Sequence, residues 1–82
     1  MTEAMPDIPT RTKLLAKELN RHGFGEWANR LSDAVDYTFT SGEMLMAIRW
    51  NLQRFLDTQP TAPAEILSAA RQIVDEVNRT GI

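Results

Sequence analysis

Read for the spacing of its apolar positions, the chain divides into four stretches with a helical period and one short leading stretch with none. A helix turns once in 3.6 residues, about 100° per residue, so its faces follow by counting. The most apolar stretch runs from Glu43 to Asp57, and its Met44, Leu45, Ile48, Leu52, Phe55 and Leu56 share one side. Met46 and Trp50 do not. They sit at i, i+4 on nearly the opposite side, among Glu43, Gln53, Arg54 and Asp57. A helix that is apolar on two faces needs cover on both, from its own chain or from a partner.

The other stretches are simpler. A first helix is expected over residues 10–22, with Thr10 as its N-cap and a narrow stripe of Leu14, Leu15 and Leu19. Gly23 suits the left-handed residue that closes a helix, and Phe24 supplies the hydrophobic contact that follows it. A second helix over 25–38 places Trp27, Ala28, Leu31, Ala34 and Val35 on one face with the flanking Phe24 and Phe39. Thr40-Ser41-Gly42-Glu43 then reads as a capping box at the head of the third helix, with an acid at the positive end of the helix dipole. Pro60 and Pro63 mark a loop, after which a fourth helix over 63–79, with Pro63 in its first turn, lines up Ile66, Leu67, Ala70, Ile73, Val74 and Val77. Gly81 suits its end. Met1 to Pro9, broken by Pro6 and Pro9, reads as an irregular tail whose Met5 and Ile8 either dock on the domain or hang free. No stretch alternates with period two, so no strand is expected.

The expected fold is therefore all-α: a compact four-helix bundle of roughly up-and-down order, residues 10–82 forming one helical domain behind the tail 1–9. At 82 residues there is no room for a second core. A hydrophobic fraction of 43% with 24% charged residues is that of a globular chain, which excludes wholesale disorder. The absence of Cys removes disulfides, thiolate metal sites and thiol nucleophiles, and favours an intracellular setting. No apolar run approaches the ~20 residues of a membrane span and no signal segment leads the chain, so a cytoplasmic protein without membrane contact is expected.

Candidate chemistry is sparse. His22 is the sole histidine, and Asp33 and Asp36 at i, i+3 give two oxygen ligands where calcium wants six to eight, so neither a metal nor a cofactor is expected. Ser32, Ser41 and Ser68 have no histidine beside them, and Gly23-Phe24-Gly25 lacks the strand and spacing of a phosphate loop; the chain is not expected to be an enzyme. Size, acidity and helix number invite comparison with acyl carrier proteins, whose prosthetic-group serine follows an aspartate at the start of the second helix. Ser32-Asp33 reverses that order in mid-helix, and the comparison fails there.

Two surfaces remain. A net charge of −2 argues against a dedicated polyanion binder, yet Lys13, Lys17 and Arg21 form an i, i+4, i+8 row with Arg11 beside them. Such a row either neutralises a few phosphates or pairs with acids of the second and fourth helices. Met46 and Trp50, rimmed by Gln53 and Arg54, are of the residue types enriched at protein interfaces. Either a partner covers them, or the first helix or the tail's Met5 and Ile8 do. The function expected is that of a small protein–protein interaction module, a regulator, adaptor or immunity-like binding protein. A homodimer through the Met46/Trp50 face, with Arg54 and Asp57 pairing across a two-fold axis, is one form of it. The alternative is a weak nucleic-acid binder using the basic first helix.

Overall fold

Helix ends set the frame. The computed structural model describes residues 7–80, and within them four helices follow one another: α1 (Ile8–Arg21), α2 (Gly25–Asp36), α3 (Ser41–Thr58) and α4 (Ala64–Arg79). Met5 of the expected tail and Gly81, the expected end of the fourth helix, lie outside the described residues.

α1 starts earlier than its N-cap reading had it. Asp7, not Thr10, is the cap: its Oδ1 accepts from the Thr10 amide at 3.0 Å. Pro9 falls in the first turn, where a missing N–H leaves no helical bond unmade, so the proline starts the helix rather than ending the tail. The other end matches expectation. Gly23 has φ +89°, its amide donates to the Asn20 carbonyl, and the Phe24 amide donates to the Leu19 carbonyl at 2.8 Å. That pair of bonds is the Schellman closure, and it turns the chain in three residues.

α2 stops at Asp36, two residues short of expectation, where the Tyr37 amide and the Thr38 hydroxyl take up the carbonyls of Asp33 and Ala34. At α3 the capping box forms with a one-residue offset. Thr40 Oγ1 accepts from the Glu43 amide at 3.1 Å, while the Glu43 carboxylate accepts from the Phe39 amide rather than from Thr40 itself. α4 begins one residue later than expected. Pro63 is extended, at ψ 140°, and its carbonyl accepts from Ile66 and Leu67.

The helices run alternately up and down, each packed on its neighbours in sequence, with α1 against α4 closing the ring. Residue pairs fix the directions. Phe24 and Trp27 at the head of α2 meet Phe55 near the end of α3, edge-on, at 5.3 and 5.6 Å between centroids. Lys13 reaches Asp36 at the end of α2, Arg11 reaches Glu76 late in α4, and Arg49 donates to Asn78. The core is built from Leu15, Ala16 and Leu19 of α1, Ala28, Leu31 and Ala34 of α2, Ile48, Leu52 and Phe55 of α3, and all six expected residues of α4. Ala62 closes the last loop over it. Met44, Leu45 and Leu56, expected on the same stripe as Ile48, are half-buried at its margin.

Two apolar residues expected in the core are outside it. Leu14 is half-exposed, because α1 buries Thr12, Leu15, Ala16 and Leu19, an i, i+3, i+4, i+7 set centred one residue position away from a Leu14–Leu15–Leu19 stripe. Small residues at 12 and 16 let α1 approach its neighbours closely. Phe39 is 95% exposed. It stands at the position before the N-cap, from which a hydrophobic side chain commonly packs on the fourth residue of the helix, here Met44. Its amide is held instead by Glu43, and the ring points away from the core.

Candidate functional site

α3 is gripped by α2 on one side and α4 on another, and this decides which of its two apolar faces is used inside. Ile48, Leu52 and Phe55 are fully buried, whereas Met46 is 53% and Trp50 59% exposed. The two lie about 40° apart around the helix, one turn apart along it, so they form a single patch. Among the described residues neither α1 nor Ile8 covers them. Ile8 packs on the core and shares a shallow groove with Met44, Leu45 and Glu76 at the other side of α3. Met5 lies outside the described residues.

The rim is polar and partly ordered. The Arg54 guanidinium lies over the Trp50 ring at 4.9 Å from its centroid, a cation–π contact that fixes both side chains at the surface. Gln53 and Asp57 are exposed beside it. Glu43 stands about 60° round the helix from Met46 on the same side, and by accepting the Phe39 amide it ties that residue to the N-terminal edge of the patch. Met46 and Trp50 thus have an acid, Glu43, toward their head and an Arg at their foot, and Phe39 is linked to them through its amide on Glu43. Phe39 and the exposed Tyr37 are additions: the expected second helix ran through Tyr37 and took Phe39 onto its apolar face, whereas both sit in the α2–α3 connection.

The basic row on α1 is brought together but is largely occupied. Arg11 pairs with Glu76 of α4 and is nearly buried, Lys13 pairs with Asp36 of α2 at 2.8 Å, and Arg21 pairs with Glu18 at 2.9 Å. Lys17 alone of the four has no ion pair among the described residues. On α3, Arg49 turns to Asn78 of α4 and the Asn51 side chain donates to the Ala47 carbonyl one turn back, so neither is arranged to read a base edge. His22 ends α1, its Nε2 3.9 Å from Glu18. Asp36 is taken by Lys13, and among the described residues no three His, Asp or Glu side chains converge as a metal site.

One depression was not visible in the sequence. Leu14 and Leu15 of α1 face Ile66, Ala69 and Ile73 of α4 across an open groove of about 250 Å³. The half-exposed Leu14 lines this groove. No helix among the described residues is long and apolar enough to cross a membrane. The chain matches no known family model, no curated protein and no solved structure.

Proposed function

We propose that this chain is a small protein–protein interaction module, a regulator or adaptor rather than an enzyme, whose contact surface is the outer face of α3. The observation that carries the reading is Trp50, 59% exposed beside Met46 on a helix whose other face already fills the core. A large aromatic ringed by polar side chains is the composition of an interface centre. The Arg54 stack holds the indole in place before a partner arrives, which lowers the ordering cost of binding. A cysteine-free chain suits the reducing cytoplasm, which is where the module is placed. The basic row on α1 has three of its four cations facing the chain's own carboxylates, so it offers little charge to a phosphate backbone.

The test is affinity capture in the native host with two baits, the wild-type chain and Trp50→Glu, both confirmed helical by circular dichroism. A partner recovered with the wild type and lost with the variant supports the reading. Identical sets of captured proteins would overturn it.

A further inference from the structure

Resting on that reading, we infer that the partner is a second copy of this chain, with the two α3 helices antiparallel and Met46 of each packed on Trp50 of the other. The outer face of α3 is self-complementary in that register. Along the helix it runs Glu43, Met46, Trp50, Arg54: acid, thioether, indole, base. Reversed against a copy of itself about a point near Ile48, it sets Met46 opposite Trp50 and brings Glu43 to Arg54, twice over by the two-fold symmetry. Within one chain Glu43 and Arg54 are separated by about 16 Å of helix rise, too far to pair. Arg54 has no carboxylate partner among the described residues, and stacking on Trp50 leaves its N–H edge available to one. An Arg54–Asp57 pairing would instead centre the contact near residue 55 and leave Met46 outside it.

The area is sufficient. Taking roughly 200 Å² for each large side chain, Phe39, Met46 and Trp50 at 95, 53 and 59% exposure offer on the order of 400 Å² per copy. Glu43, Gln53, Arg54 and Asp57 are exposed around them, and about 200 Å² per copy from these four brings the contact to the roughly 1,200 Å² in total at which specific interfaces begin. Sulfur against indole in the centre, with opposite charges at both ends, also disfavours the parallel arrangement, which would set Glu43 against Glu43 and Arg54 against Arg54.

Sedimentation velocity on the full chain tests this. The wild type is expected to pass from monomer to dimer with rising concentration, and Trp50→Glu to remain a folded monomer. Arg54→Glu and Glu43→Arg each create two like-charge contacts per dimer and should each weaken association by about tenfold or more. An equimolar mixture of these two variants restores both opposite-charge pairs, so it should form a heterodimer within about threefold of wild-type affinity. Because Glu43→Arg also removes the acceptor of the Phe39 amide, circular dichroism checks its fold. Should it fail to fold, the series Arg54→Gln then Arg54→Glu must weaken the dimer in that order. A wild type that stays monomeric to millimolar concentration overturns the second-copy inference, while the interaction reading stands or falls on its own capture experiment. A dimer that Trp50→Glu leaves intact also overturns the second-copy inference, because the two copies then meet at another surface. A dimer broken by Trp50→Glu but indifferent to the charge reversals, or not rescued by mixing them, overturns the antiparallel register.

Discussion

Replacing Thr12 with Val should make this protein more stable. Thr12 is fully buried on the core side of α1, and its Oγ1 has no hydrogen-bond partner among the described residues. In the unfolded chain that hydroxyl is hydrated; on folding it loses water and gains nothing, at a cost of about 1–3 kcal/mol. Valine keeps the branched shape and the similarly modest helix propensity, and it replaces the hydroxyl with a methyl group that gains from burial. A net gain of about 1–2 kcal/mol is expected, against a total stability of roughly 4–12 kcal/mol for a chain of this length. In a domain this small, each kcal/mol moves the Tm by about 4–8 °C. Urea unfolding followed by circular dichroism measures it directly, with an unchanged slope as the sign that only stability has moved. A loss of about 1 kcal/mol would refute the reasoning: it would mean that the hydroxyl has a partner, such as the Ile8 carbonyl one turn back or a buried water.

Leu31→Ala and Ile73→Ala, at fully buried sites in α2 and α4, should each cost about 2–5 kcal/mol in the same assay. Thr40→Ala removes the acceptor for the Glu43 amide and should cost about 1 kcal/mol with helix content unchanged. The Asp7 carboxyl is held below its ordinary range, first by the Thr10 hydroxyl and then by the Thr10 amide. Its charge therefore stabilises α1 above the unfolded-state pKa and ceases to do so as pH falls through the lower folded value. Unfolding of wild type and Asp7→Asn compared from neutral to strongly acidic pH should show a gap that closes on acidification.

The signals that survived from sequence to structure are those in which one local rule and the packing agree. All six apolar positions of α4 are buried, because a single broad stripe has only one way to face a core. The Gly23 turn and the Thr40 cap are likewise local chemistry, complete within a few residues. Sequence and structure part where a residue has two competing local uses. Pro9 looks like a helix breaker, although the first turn tolerates proline and Asp7 is there to cap it. Leu14 falls in with Leu15 and Leu19 because it is large and apolar, whereas the core of α1 takes Thr12 and Ala16 for their small size. Phe39 goes with α2 by its neighbours in sequence, but the helix ends before it and Glu43 draws its backbone to α3. The doubly apolar character of α3 was legible from counting alone. Whether the chain itself would also cover Met46 and Trp50 was not, since that depends on where α1, α2 and α4 stand, and the exposed patch is what their placement leaves over.

Trp50 serves a surface, and Ile48, two residues away, serves the core. Urea unfolding of Trp50→Glu and Ile48→Ala side by side, at a concentration low enough to keep every chain monomeric, separates the two roles. Ile48→Ala should lose about 2–5 kcal/mol, and Trp50→Glu less than about 1 kcal/mol, the scale of its exposed stack with Arg54. A Trp50→Glu chain that unfolds, or that loses as much as Ile48→Ala, would place Trp50 inside the fold and contradict the claim.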